Sequence, residues 1–104
     1  MVSVKWDDRA DADLEAIDFS IAQKVVAKVT WLAENYADIA PELLQYGLKG
    51  VYKLRIGDYR VLYKVEGEVI IIKMIDHRSR VYNRISRIAW WWILSALLLK
   101  HAYE

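Results

Sequence analysis

Lys53, Arg55, Arg60, Lys64 and Lys73 recur through three short β-type segments, and the last segment runs out into His77-Arg78-Ser79-Arg80-Val81-Tyr82. Alternation along a strand places Lys53 and Arg55 on one face while Tyr52, Leu54 and Ile56 take the other. In the next strand Arg60 and Lys64 lie opposite in sense to Tyr59, Val61 and Tyr63. If the apolar sets turn inward, the cations turn outward together, as a basic face ending in a basic rim. With few carboxylates in register, such a cluster is costly to hold together without an anion, and phosphate, in particular RNA, is the partner that suits it. Lys49 precedes the first segment, and Arg84 and Arg87 extend the rim.

The formal net charge of +1 conceals a division. Residues 1–48 hold four Lys/Arg against nine acids, and residues 49–87 hold ten against four (Asp58, Glu66, Glu68 and Asp76). The basic half is where a ligand is expected, although the same asymmetry would also solubilise two faces. Lys24, in the acidic half, is expected to lie away from any site. No HExxH, carboxylate cluster or phosphate-binding glycine loop is present, so metal-dependent hydrolysis and nucleotide binding find no support. The chain has no cysteine, which leaves out disulfides and thiolate metal sites and allows a reducing compartment. Its acidic start, MVSVKWDDRAD, does not suit a secretory signal, so a cytoplasmic location is expected.

The elements that must carry these residues follow from periodicity. At 104 residues and 56% hydrophobic, the chain is expected to form one domain with a single modest core. Residues 2–6 alternate like a strand, and Asp7 or Asp8 caps a helix start. Leu14, Ile17, Ile21, Val25, Val29, Leu32 and Tyr36 then form an apolar helical stripe, which Asp18 and Ser20 divide into helices over 8–17 and 20–36. Residues 37–50, with the only proline, read as a connector. Strands over 51–56, 59–65 and 69–75 follow, joined by Gly57-Asp58 and Glu66-Gly67-Glu68 as hairpins of an antiparallel meander. Tyr59 and Tyr63 are expected in the core. The fold class is α+β, two N-terminal helices packed on one side of a small antiparallel sheet.

Leu48-Lys49-Gly50, the run Tyr52-Lys53-Leu54-Arg55-Ile56-Gly57-Asp58-Tyr59-Arg60-Val61-Leu62-Tyr63, and His77-Arg78 with Val81-Tyr82 resemble the RelE/ParE superfamily of bacterial toxins, and within it the RelE-like messenger RNA interferases. The resemblance covers about residues 2–84, and a domain over 1–87 is expected on its strength. It implies a toxin of a type II toxin-antitoxin system, neutralised by a cognate antitoxin and cleaving messenger RNA in the ribosomal A site without a cofactor. It also leaves open a ParE-like inhibitor of DNA gyrase, or an inactive RNA-binding relative; His77-Arg78 with Val81-Tyr82 favours the RelE side.

Metal-free cleavage of RNA requires that a 2′-OH be aligned and deprotonated, that the anionic transition state be stabilised, and that the leaving 5′-oxygen be protonated. By resemblance, Lys53 and Arg55 occupy the basic strand positions, Arg60 and Arg78 contact the scissile phosphate, and Tyr82 stacks on or orients a base. Arginine stays protonated at any physiological pH, so Lys53 is the candidate base and Arg55 a phosphate clamp. Imidazole suits acid-base work near neutrality, which makes His77 a candidate general acid; the other assignment is a strand-end histidine that binds a phosphate or the backbone. Lys49, Lys64, Lys73, Arg80 and Arg84 would bind RNA. Asp76 is either an orienting carboxylate for His77 or a solvated loop acid.

The tail departs from the pattern. Residues 88–99 are twelve apolar or small residues including three consecutive tryptophans, too few for a membrane span of about 20. A helix over 84–102 would be apolar nearly all round and should bury against a partner, another copy of the chain, a membrane surface, or the groove an antitoxin helix would fill.

Overall fold

The computed structural model of the chain describes residues 2–44 and 50–87. Lys49 and the expected tail over 88–104 lie outside the described residues. Strand β1 (Ser3–Trp6) leads into helices α1 (Asp8–Ala16) and α2 (Phe19–Glu34). The chain is extended at Ile17 and Asp18, and this break divides the stripe where the sequence predicts it. A single 3-10 turn (Tyr36–Asp38) and a short strand β2 (Glu42–Leu43) follow, so the expected connector contributes an edge strand. Strands β3 (Tyr52–Ile56), β4 (Tyr59–Glu66) and β5 (Val69–His77) form the antiparallel meander. Residues 78–87 are helical and are called α3.

The sheet order is β1-β5-β4-β3-β2, with β1 parallel to β5 and the other pairs antiparallel. The sheet is therefore mixed: β1 and β5 are far apart in sequence, which frees their pairing from the hairpin geometry that sets the meander. Both hairpins close on two-residue turns whose first residue is a glycine at positive φ, Gly57 at +57° and Gly67 at +60°. Glycine meets that conformation without steric cost. β5 carries one extra residue, Lys73, where the register with β4 shifts between Leu62 and Tyr63.

Two cores flank the sheet. On one face Val61, Tyr63, Ile70, Ile72 and Ile75 pack against Val25, Val29 and Leu32 of α2. Tyr63 is fully buried, and burial, with Tyr36 and Tyr52 nearby, pushes its hydroxyl up to about 12. Tyr59 is only half-buried, at the end of the sheet. On the other face Leu62 and Met74 meet Val81 and Ile85 of α3, together with Leu44 and Val51. The expectation of helices on one side and an open basic face on the other is corrected here. β4 and β5 are inner strands, and their apolar residues at both parities, Leu62 and Met74 among them, need cover on both faces. Helix α3 folds back to provide it.

Between β1 and α1 the edge of β5 would be bare beyond Ile72. The backbone N–H of Asp7 donates to Ile72 O, and the Asp13 carboxylate of α1 accepts the N–H of Ile75 at 2.9 Å. A side chain thus replaces the missing strand partner.

Candidate functional site

Strand alternation and register set the site on the α3 face. Across the sheet, Glu42, Lys53, Leu62 and Met74 form one row, and Arg55, Arg60 and Asp76 the next. Arg55 and Arg60 stand directly opposite each other, a like-charged pair that raises the free energy unless anions lie close by. Glu42 answers part of this: its carboxylate lies 2.7 Å from Arg55 Nη2 and 3.5 Å from Lys53 Nζ. Desolvation would raise the Glu42 carboxyl, but the hydrogen bond from Arg55 and the two nearby cations outweigh it and hold the group below its usual range. Arg60 folds back over the β3–β4 turn, donating through Nη1 to Gly57 O and Tyr59 O, both at 2.9 Å.

The same turn receives the start of α3. The Arg78 N–H donates to Asp58 O at 2.7 Å, and its side-chain Nε lies 3.5 Å from Asp58 Oδ1, with both side chains well exposed. Tyr82, one turn further along α3, packs half-buried against the Leu62–Met74 cluster. Lys53, Arg55, Arg60 and Arg78 therefore border one apolar platform near the β3–β4 turn, with Tyr82 on it. Lys64 lies on the same face, in register with Ile71.

Four expected site residues have their partners outside this platform. Lys73, displaced by the β5 irregularity, pairs with Asp7 at 2.9 Å, and its hydrogen bond is the main reason the Asp7 carboxyl is lowered. His77 is in register with Tyr59 on the α1–α2 side and meets its ring edge-on at 5.5 Å. Its Nδ1 accepts the Ser79 N–H at 3.1 Å and lies 2.8 Å from Ser79 Oγ, so the imidazole caps the first turn of α3. In the free protein, then, the His77 imidazole engages the backbone and hydroxyl of Ser79.

Arg80 and Arg84 converge on Asp76. Its carboxylate accepts the His77 N–H at 2.7 Å, Arg80 Nε at 3.0 Å and Arg84 Nη1 at 3.0 Å. Asp76 is 9% exposed, and so neither a solvated loop acid nor a partner of the imidazole. Burial acts to raise its carboxyl, but these three donors outweigh burial and the group is held below its usual range. Arg84 also lies 3.1 Å from Asp13 Oδ1, so one guanidinium joins α1, β5 and α3. Its two carboxylate partners raise it despite desolvation.

The sequence reading missed the carboxylates. Glu42, Asp7 and Asp13 belong to the acidic half, and no spacing within the basic segment shows that the fold brings them to Arg55, Lys73 and Arg84. Lys24, expected to lie away from any site, lines a groove with Arg55, as Lys28 and Trp31 do at spacings of four and three residues along α2.

Among the described residues no cluster of metal-ligating side chains occurs, and no helix is long and apolar enough to cross a membrane. Residues 4–82 match the family described as the ParE toxin of the type II toxin-antitoxin system parDE. The chain is 32% identical over 69 residues to Toxin RelG of Mycobacterium tuberculosis, covering 59% of this chain and 77% of RelG. Among solved structures, it is similar to the toxin-antitoxin complex RelBE2 of M. tuberculosis, with a TM-score of 0.65, 25% identity, and coverage of 73% of this chain and 96% of the other. The chromosomal ParDE system of P. aeruginosa is similar too, with a TM-score of 0.64, 26% identity and coverage of 74% and 96%.

Proposed function

Because the chain belongs to the ParE toxin family of type II toxin-antitoxin systems, within the RelE/ParE superfamily, we propose that it is a cytoplasmic, ribosome-dependent endoribonuclease that cuts messenger RNA in the A site and is neutralised by a cognate antitoxin. What supports a nuclease is the in-register pair Arg55–Arg60, flanked by Lys53 in the next row and by Arg78 at the β3–β4 turn. Such a cluster stabilises an anion more highly charged than the substrate's own phosphodiester, which is what acceleration demands.

In the reaction, the 2′-oxygen bonds to phosphorus as its proton passes to a base, for which Lys53 is our assignment. The P–O5′ bond breaks and the 5′-oxygen takes up a proton from solvent water, leaving a 2′,3′-cyclic phosphate and a 5′-hydroxyl. Arg60 is pre-set by its two carbonyl partners, whereas Arg55 and Arg78 rest on exposed carboxylates and exchange them for phosphate. Tyr82 stacks on a base over the apolar platform. His77 takes no part beyond capping α3.

A second reading, a gyrase inhibitor on the same fold, is favoured by the family match itself and by the similarity to the ParDE system. One comparison separates the two. Messenger RNA is incubated with the protein and with Arg60→Ala and Arg78→Ala, with and without programmed ribosomes, and the ends are mapped. Ribosome-dependent cuts that fall about 100-fold or more in the variants are expected. Absence of cuts, together with inhibition of DNA supercoiling by gyrase, would overturn the nuclease.

A further inference from the structure

A groove of about 540 Å³ lies between α2 and the end of β3, away from the α3 face, and is lined by Lys24, Ala27, Lys28, Trp31, Arg55 and Ile56, with the backbone turning at Gly57. Its described lining holds three cations and no carboxylate. β2 pairs only with Tyr52 and Lys53, so on the edge of β3 away from β4 no described strand pairs with Leu54 to Ile56. Lys24 and Lys28 stand one helical turn apart, roughly 6 Å between their Cβ atoms. Trp31 is 42% exposed on the same stripe, and Lys28 Nζ sits 4.2 Å from its ring centroid. An exposed indole is disfavoured in water, and beside two lysines it offers a flat surface for a base with cations for the adjoining phosphates.

We infer that this α2–β3 groove holds a single-stranded RNA segment next to the one on the α3 face, with Lys24 and Lys28 on consecutive phosphates and Trp31 stacked on a base. Arg55 belongs to both places: it stands opposite Arg60 in the sheet and also lines the groove. The strand therefore passes around the open edge of β3 from one side of the sheet to the other. This assignment rests on the RNA reading of the α3 face and extends it to the acidic half of the sequence. Of the acids of that half, Asp7 and Asp13 are engaged with Lys73 and Arg84, Asp18 accepts the Ser20 hydroxyl, and Glu42 pairs with Arg55 through an exposed contact that a phosphate can replace.

The test is fluorescence anisotropy of a labelled 20-nucleotide single-stranded RNA against the full chain over a range of salt. The wild type is compared with the double variant Lys24→Ala/Lys28→Ala, with Trp31→Ala, and with Arg60→Ala/Arg78→Ala. Removing two phosphate contacts should flatten the slope of log K against log salt by about 1.4, since each contact on a single strand contributes about 0.7. Loss of base stacking in Trp31→Ala should weaken binding about fivefold or more. Circular dichroism melts show whether each variant is folded; Lys24 and Trp31 are exposed and Lys28 is half-buried, and melts close to wild type are expected.

Wild-type affinity and slope in both α2 variants, with weakened binding in Arg60→Ala/Arg78→Ala, would overturn the groove while leaving the α3-face site in place. No RNA binding by the wild type would overturn both. Binding of an acidic peptide that Lys24→Ala/Lys28→Ala abolishes, without RNA binding, would assign the groove to a protein partner and overturn it as an RNA site.

Discussion

Replacing Asp76 by asparagine keeps the size of the side chain and removes its charge, which tests whether this carboxylate docks α3. The His77 N–H can still donate to the amide oxygen, so that bond is retained. Arg80 is 62% exposed and its pair with Asp76 is well solvated, so little stability is expected from it. Arg84 is different: only 32% exposed, it loses one of two carboxylate partners and keeps Asp13. Hydrogen bonds to charged groups contribute about 1.5–3 kcal/mol, and retention of Asp13 puts the loss near the lower part of that range, about 2 kcal/mol. For a domain of this size that corresponds to about 8–16 °C in Tm.

The assay is urea and thermal unfolding of Asp76→Asn, Arg84→Ala and Arg80→Ala, with double variants to close the cycles. Coupling of Asp76 to Arg84 should be about 1–2 kcal/mol, and coupling to Arg80 should be unresolvable. The pH dependence carries a sign. The folded-state carboxyl of Asp76 is lowered, so its contribution is complete above the unfolded value near pH 4 and is lost as the pH falls through the folded value. Asp76→Asn should therefore flatten the stability profile on that acid side, and between pH 6 and 8 lower it by a constant amount without changing its slope. A variant within 0.5 kcal/mol of wild type, or equal coupling to both arginines, would refute the docking argument.

Ile85, on the sheet-facing side of α3, is fully buried, and Ile85→Ala should cost about 3 kcal/mol in urea unfolding. Cleavage should fall with it, because α3 carries Arg78 and Tyr82. Gly57→Ala meets no atom within 4 Å but forces an L-residue to φ +57°, so unfolding should show about 1–2 kcal/mol of destabilisation that comes from the backbone alone. Glu42→Gln removes the anion that competes for Lys53 and Arg55. RNA affinity by anisotropy should rise about threefold or more, equally at pH 6 and pH 8, because the wild-type carboxyl is ionised throughout that range.

The local layout was legible because its signals are local. The α1–α2 break, the two glycine hairpins and the stripe from Leu14 to Leu32 are each written within a few residues. What escaped depends on contacts across long separations. The parallel pairing of β1 with β5 joins residues more than 60 apart, and β2 is a two-residue strand whose only signal is its place beside β3. The second core had a trace in the sequence, since Val61-Leu62-Tyr63 and Val69–Ile72 break alternation. Such runs mean burial on both faces, and a reading that assigned one face to water passed over them. Among the site residues, the strand and rim positions were read from alternation, but which cations remain available depends on acids supplied by α1 and β2.

That dependence sorts the cations by the exposure of their partners. Glu42 and Asp58 are 46% and 65% exposed, so Arg55 and Arg78 can leave them for a phosphate while water takes up the released carboxylates at little cost. Asp76 and Asp13 are 12% and 15% exposed at their side chains. Freeing Arg84 would strand two poorly hydrated carboxylates, which costs far more than an exposed pair returns. Arg84 therefore stays fixed as a strut, and in the proposed nuclease reaction Arg55 and Arg78 are the clamp. A cluster neutralised in this way can be held in the folded protein without the self-repulsion that bare cations would impose. Its charge becomes available when a phosphate with more negative charge than a carboxylate displaces Glu42 and Asp58. On the proposed nuclease reading, such an arrangement would favour the more highly charged transition state over the substrate's singly charged phosphodiester.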